Sequence, residues 1–197
     1  MAQGKIAGRL VGLGLLVPLA AAAAPAPIQA NDASVEIIGS RSPDSILTIR
    51  PKSSTATRQG LRQFVGVSGA NSGARGLSLN EVIIPPGGRA TPHRHIGTES
   101  AIYIVSGRVR THYGRCLEKS VENRSGDFLF IPPDLPHMPE NLSRSEPALA
   151  IVARNDANEQ EQVEVLSLEG PAALSPPGAG RSSGQAAAPC PPVPPAR

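Results

Sequence analysis

The chain has 197 residues, a formal net charge of +3 and 40% hydrophobic residues, among them three Phe, two Tyr and no Trp. This length suits one domain, whose core must consist mainly of aliphatic side chains. The basic residues are scattered and not interleaved with aromatic ones, so we expect no nucleic acid partner.

The first 30 residues have the pattern of an export signal. Lys5 and Arg9 form a basic start, and the apolar stretch LVGLGLLVPLAAAAA follows them. A membrane anchor is the alternative, but two glycines and a proline interrupt a stretch that is shorter than the roughly 20 residues of a spanning helix. We therefore expect no stable membrane span and interpret residues 1–30 as a signal peptide. This interpretation predicts an exported protein, either periplasmic or extracellular.

Short apolar runs that predict β-strands fill the rest of the chain up to residue 168. Residues 31–60 contain SVEIIG and SILTIR, which we interpret as an N-terminal arm with short strands. The later runs are LSLNEVIIP, AIYIVSG, RVRTHYG, DFLFIPP, ALAIVAR and QVEVLSL. Their near-regular spacing between Gly, Pro and Asp favours an all-β sandwich or barrel, with a tight hairpin at Ser106-Gly107.

Two of these predicted strands are apolar at every position, namely residues 101–105 and 128–131. A strand with one face in water alternates between apolar and polar side chains. We therefore expect both faces of these strands to be covered, the outer face by a second sheet or a partner subunit. A homodimer built on this face is the prediction.

From residue 169 to 197 the chain is almost entirely Pro, Gly, Ala and Ser. Such a segment has too little apolar bulk to offset its ordering entropy, which predicts a disordered tail. Cys116 lies in the predicted domain and Cys190 in the tail. They could pair in an oxidising compartment or remain two free thiols, and the sequence leaves both alternatives open.

Three of the four histidines and one glutamate form a pattern typical of a metal site. His93 and His95 point to the same side of an extended strand, with Cα atoms about 6.6 Å apart. Glu99 would lie about 13 Å beyond on a straight strand, so the chain must bend, and Gly97 permits this bend. His137 follows a Pro-Pro-Asp turn and can reach the same ion from a second strand. Three imidazoles and one carboxylate leave an octahedral ion two open positions.

The spacing of these residues resembles the two motifs of the cupin family. The first is Gly87-x5-His93-x-His95-x3-Glu99 ending at Gly107, and the second is Gly126-x5-Pro132-x-Asp134-x2-His137-x3-Asn141. Two departures are visible. Seven residues instead of six separate Glu99 from Gly107, which suggests a bulge in that strand. Asp134 replaces the usual glycine, and Asp tolerates the left-handed backbone better than most residues.

This resemblance implies a single cupin domain over residues 61–168, which is a double-stranded β-helix or jelly-roll barrel, often a homodimer. It implies that His93, His95, Glu99 and His137 bind one divalent transition metal inside the barrel. The ligand types admit Fe, Mn, Ni, Zn or Cu.

Enzymes of the cupin family include dioxygenases, isomerases, epimerases and decarboxylases, while other members are binding or storage proteins. Our first hypothesis is a metalloenzyme of oxygenase or isomerase type acting on a small organic molecule. The alternative is a non-enzymatic exported protein that binds a metal or a small ligand. We predict no catalytic side chain. Tyr103 either lines the cavity or packs in the core, and we expect His112, which lies outside both motifs, to take no part in the site.

Overall fold

The structure, a computed structural model, describes Met1, residues 35–158, Gln160, residues 162–167 and Cys190. All of these except Met1 belong to one compact unit, residues 32–197. The predicted signal peptide and nearly all of the predicted tail lie outside the described residues. Within the described part, no helix has the length and apolar character needed to cross a membrane.

The described chain is almost entirely β-structure, with one short helix. In chain order, the elements are β1 (Val35–Ile38), β2 (Thr48–Pro51), β3 (Thr55–Ala56), β4 (Arg62–Val67), α1 (Gly69–Ser72), β5 (Ser78–Ile84), β6 (His93–His95), β7 (Ser100–Ser106), β8 (Arg108–Tyr113), β9 (Lys119–Arg124), β10 (Phe128–Ile131), β11 (His137–Asn141), β12 (Ala148–Arg154) and β13 (Val163–Val165). The all-β prediction is confirmed.

Two sheets build the barrel and a third lies in the predicted arm. The larger barrel sheet has the order β10-β7-β12-β5-β4-β3, and the smaller has the order β13-β6-β11-β8-β9. Strands β1 and β2 pair antiparallel as a separate hairpin. Strand β3 lies in the predicted arm but pairs with β4 in the larger sheet. The boundary at residue 61 stays a prediction.

The core between the two sheets is aliphatic, as the composition predicts. Strand β12 shows the pattern most clearly, because every second residue from Ala148 onward is buried. The buried cluster consists of Leu61, Val82, Ile84, Ala90, Ile104, Val109, Ala148, Ala150 and Val152. These side chains fill one part of the barrel and leave its histidine-bearing part to polar groups.

The predicted hairpin at Ser106-Gly107 is wrong. Strand β7 pairs with β10 and β12, whereas β8 pairs with β9 and β11 in the other sheet. Gly107, with φ of +89°, lies where the chain passes from one sheet to the other. A Cβ there would lie 2.8 Å from the Cβ of Ala148, so this crossing needs glycine. Two apolar runs around a Ser-Gly turn do not reveal whether the strands pair with each other.

Strands β3, β4, β9 and β11 lie outside the apolar runs that predicted other strands. Strand β9 is largely exposed, and antiparallel pairing with β8 defines it. Across this pair, Arg108 and Arg110 both bond to Glu122. Strand β4 and the polar strand β11 are likewise defined by their pairing with neighbours.

Cys116 and Cys190 form a disulfide, with Cα atoms 5.2 Å apart. Cys190 is buried in a second apolar cluster together with Leu117, Met138 and Leu166. Of the two alternatives that the sequence left open, the structure therefore has the disulfide and not two free thiols. It also holds one residue of the predicted tail against the barrel.

We expect Cys190→Ser to lower the free energy of unfolding by up to about 4 kcal/mol. The reason is that a cross-link between residues 74 positions apart removes conformational entropy from the unfolded chain. Urea unfolding of parent and variant, each with and without reductant, measures this. Reductant should bring the parent to the level of the variant and leave the variant unchanged. Equal stability in all four samples would contradict a structural disulfide.

Candidate metal centre

Two neighbouring strands bring the three motif histidines together. Strands β6 and β11 are antiparallel, and His137 lies directly opposite His93. His93, His95 and His137 are all buried, and one side-chain nitrogen from each lies within 4.8 Å of the others. The predicted convergence of these three side chains is what the structure shows.

Backbone carbonyls orient two of the imidazoles. His93 Nδ1 donates to the carbonyl oxygen of Thr91, and His137 Nδ1 donates to that of Leu135, each at 2.8 Å. Because a carbonyl oxygen can only accept, Nδ1 carries the hydrogen in both rings, and Nε2 keeps its lone pair. This arrangement is the one in which a histidine binds a metal through Nε2.

A turn from the second motif is attached to the end of β6. The N–H group of Asp134 donates to the carbonyl oxygen of His95 at 3.0 Å, and Asp134 Oδ1 accepts from the N–H group of Gly97 at 3.2 Å. Asp134 and Gly97 both have φ of +62°, so Asp134 does adopt the left-handed conformation and Gly97 does bend the chain. These bonds hold the turn before His137 against the segment that carries His93 and His95.

Glu99 is the one predicted ligand that the structure does not bring to this cluster. Its side chain is exposed, and Asn155 Nδ2 donates to Glu99 Oε2 at 3.4 Å. The next residue, Ser100, is buried at the start of β7 and takes the inward position. Glu99 lies just before β7 and is exposed, so the first residue of this strand, Ser100, is the one that faces the barrel interior.

The bulge suggested by the spacing is present near the end of β7. The register between β7 and β12 shifts between Leu149 and Ala150, where Val105 is the extra residue. This bulge accommodates the additional residue before Gly107 without turning Glu99 inward. The structure therefore assembles three members of the predicted ligand set.

The two residues outside the motifs also have clear positions. His112 lies apart from the cluster, as expected, and its Nε2 is 3.2 Å from Glu140 Oε2. Tyr103 lies on the outer face of β7, where its ring packs against Phe128 with centroids 4.8 Å apart. It neither lines the cavity nor packs in the core, so both alternatives for Tyr103 are wrong.

Comparison with known proteins identifies this architecture. Residues 80–154 match the family model of the cupin domain. A germin-like protein of Arabidopsis thaliana, subfamily T member 3, is 32% identical over 114 residues, which are 55% of this chain and 47% of that protein. An uncharacterized protein of Methanocaldococcus jannaschii is 35% identical over 65 residues, 33% of this chain and 50% of that protein. The chain thus spans about half the length of these curated relatives.

A solved structure has the same architecture. Oxalate decarboxylase from Bacillus subtilis, determined at pH 4.6, aligns with a TM-score of 0.51 and 18% identity, over 59% of this chain and 30% of that chain. The fold is the cupin barrel. At this identity the likeness shows the fold alone, and the predicted fold class is confirmed.

One buried residue of the cupin barrel, Arg154, contacts the histidine cluster and was not predicted; it also contacts the buried Ser100. Arg154 lies at the end of β12, where its Nη2 is 3.1 Å from His95 Nε2 and its Nε donates to Ser100 Oγ at 3.2 Å. Since a guanidinium can only donate, His95 Nε2 is the acceptor. The signal for Arg154 was present in ALAIVAR, because Arg154 continues the every-second-residue series that begins at Ala148.

Burial keeps all three imidazoles neutral at pH 7. It lowers the pKa of His93 well below its ordinary value, and lowers the pKa of His137 to about 4. Burial also lowers the pKa of His95, with the positive charge of Arg154 as the next cause. Neutral imidazoles are the form that binds a metal, so the site is ready for an ion at neutral pH. Three neutral nitrogen donors fit a divalent transition metal.

We expect the metal-free protein to lose stability as the pH falls from 6.5 toward about 4. Unfolded histidines bind a proton below about 6.5, whereas His137 in the folded state stays neutral down to about 4. In this window the unfolded state binds more protons, so a falling pH favours unfolding.

Thermal unfolding in the presence of a chelator, between pH 7.5 and pH 4.5, measures this dependence. His137→Gln removes one of the buried bases and should give a flatter dependence than the parent. His112→Gln leaves the buried imidazoles in place and serves as the control with the slope of the parent. Equal slopes in parent and His137→Gln would show that this histidine does not couple folding to pH.

Proposed function

We propose that the protein is a metal-dependent cupin in which His93, His95 and His137 hold one divalent transition metal, namely Fe, Mn, Ni, Zn or Cu. The observation that carries this proposal is the cluster of three buried nitrogens within 4.8 Å of one another. Lone pairs on neighbouring imidazoles cannot hydrogen-bond among themselves, and those of His93 and His137 Nε2 are costly to leave unmatched in a buried space. A cation at their centre removes this cost.

The reaction that fits this site best is an oxygenase or isomerase reaction on a small organic molecule. When bound, the ion would act as a Lewis acid toward an oxygen atom of the ligand. The chain itself supplies the orientation of the imidazoles through Thr91 and Leu135, and a buried environment that excludes bulk water. Among the described residues, Arg154, which contacts His95, and Ser100, which contacts Arg154, are polar groups that can contact a ligand.

A non-enzymatic binding protein is the second candidate, because the neighbours of the cluster are suited to binding. Arg154 stays protonated at neutral pH, and a serine hydroxyl such as that of Ser100 is not a base by itself. Neither residue can act alone as a general base. Turnover of a small organic substrate by the metal-loaded protein would favour the enzyme, whereas tight binding without turnover would favour the binding protein.

We further propose that the protein is exported to the periplasm or the cell exterior. The basic start and apolar stretch of residues 1–30 support this. The bond between Cys116 and Cys190 supports it independently, because disulfides persist mainly in oxidising compartments.

A homodimer is proposed on the outer face of the larger sheet. Tyr103, Val105, Phe128 and Phe130 form an exposed apolar patch there, with Phe128 and Phe130 exposed by 80% and 64%. Among the described strands, β10 has β7 as its one neighbour, so its other edge is open. A second copy that pairs with this edge would cover the patch and satisfy the edge.

For the metal site, we expect the parent to bind one ion per chain and His137→Ala to weaken binding at least about 100-fold, because it removes a direct ligand. Glu99→Gln and His112→Ala should bind as the parent does, since neither side chain reaches the cluster. Metal analysis and competition with a chromophoric chelator measure the affinities. Loss in Glu99→Gln would restore the carboxylate to the ligand set. Equal loss in His112→Ala and His137→Ala would refute the site.

For the dimer, light scattering at micromolar concentration should give twice the chain mass for the parent and the chain mass for the Phe128→Ser, Phe130→Ser double variant. The change removes two exposed rings from the proposed contact. Val121→Ser removes an exposed apolar side chain from β9, in the other sheet, and should leave the dimer intact. A monomeric parent, or a double variant that stays dimeric, would contradict this interface.

A further inference from the structure

The guanidinium of Arg154 contacts Nε2 of His95, the same ring atom through which His93 and His137 would bind a metal. Arg154 Nη2 is 3.1 Å from His95 Nε2. The Nε2 atom of a neutral imidazole has a single lone pair, which serves either a hydrogen-bond donor or a metal ion. Binding of an ion through His95 Nε2 therefore requires Arg154 to give up this hydrogen bond.

We propose that Arg154 recognises the ligand of this site, and that the ligand is a small carboxylate. The metal takes His95 Nε2, and the Nη2 group that leaves this atom donates to a carboxylate beside the ion. The bond from Arg154 Nε to Ser100 Oγ keeps the side chain in place during this exchange. This proposal rests on the proposed metal site and names the chemical class of its ligand.

The charge of the site favours an anion. Among the described residues, the group of potential ligand atoms contains histidine nitrogens and no carboxylate. Glu99 is at the surface, and Asp134 Oδ1 accepts from the N–H group of Gly97. A divalent ion next to Arg154 would therefore concentrate positive charge in a buried space, which is costly without a counter-charge. The planar guanidinium matches a carboxylate better than it matches a neutral group.

A cavity that is not lined by Arg154 itself, but by its strand partner Ser78, has the size for such a ligand. Its volume is about 200 Å³, and Gln63, Ser78 and Asn80 line it. Ser78 lies directly opposite Arg154 across β5 and β12. Gln63 Oε1 and Ser78 Oγ are buried and have no hydrogen-bond partner among the described residues. The cavity is several times the roughly 30 Å³ of one water, so it has room for a small acid.

The first measurement is calorimetric binding of Co²⁺ to the metal-free parent and to Arg154→Gln. We expect the variant to bind Co²⁺ about tenfold more tightly, because it lacks both the charged donor on His95 and the positive charge beside the ion. Arg110→Gln removes an exposed arginine that pairs with Glu122, and it should bind as the parent does. If Arg154→Gln binds Co²⁺ no more tightly than the parent, the ion does not displace Arg154 from His95 Nε2, and this part of the proposal is refuted.

The second measurement is binding of malonate to the Co²⁺-loaded proteins, followed by calorimetry and by the visible spectrum of the ion. Arg154→Gln should bind malonate at least about tenfold more weakly than the parent and Arg110→Gln. Malonamide, a neutral molecule of similar shape, should not distinguish the three proteins. Equal malonate affinity in parent and Arg154→Gln would refute the role of Arg154 while the metal site stands.

Failure of the metal site itself has a different signature. If the parent and Arg154→Gln bind no Co²⁺, or if His137→Ala binds it as the parent does, the proposed function fails. Should Arg154→Gln not fold, Arg154→Lys keeps the charge but loses the planar fork. It should bind Co²⁺ like the parent and malonate about threefold to tenfold more weakly, and unchanged malonate affinity would overturn the proposal.

Discussion

The pairing of His137 with His93 across β6 and β11 brings residues from two distant segments of the chain into one cluster. The rest of the barrel supports this pairing. The turn at Asp134 is bonded to the segment around Gly97, which fixes the distance between the two segments. At the other end of β11, the side-chain amide of Asn141 donates to three backbone carbonyls and so fixes the end of this strand. The positions of the imidazoles follow from backbone pairing more than from contacts among the side chains.

Burial has two effects on this cluster, and both favour the binding of a cation. It removes the imidazoles from water, which keeps them neutral, and it leaves their nitrogens with few partners. In a surface loop the same histidines would be hydrated and would titrate near pH 6.5. The aliphatic core next to the cluster therefore contributes to the chemistry, because it supplies the low-polarity environment in which a cation is the best partner for the nitrogens.

The sequence predicted much of this structure, and the failures have physical causes. The periodicity of two predicted the strands, and the i, i+2 spacing predicted that His93 and His95 share a face, because both follow from the geometry of one strand. The face of Glu99 depended on where β7 begins and where its bulge lies, and a motif does not contain that information. Arg154 could have been found from the alternation in β12, but its contact with His95 depends on the tertiary structure. The crossing at Gly107 was mistaken for a hairpin because local sequence does not reveal pairing partners.

The inward position of Ser100 changes the chemistry expected of the proposed site. With Glu99 as a ligand, the ion would have a negatively charged oxygen donor, which suits Mn as well as Fe. With Ser100 facing inward instead, three neutral nitrogens are the donors that the described residues offer, and imidazole suits Zn, Cu, Fe and Ni. A site of this kind leaves the full charge of the ion to be balanced by what binds there. If the proposed site binds its ion, the outward position of Glu99 would bear on both the metal preference and the charge of the preferred ligand, which joins the proposed metal site to the proposed role of Arg154.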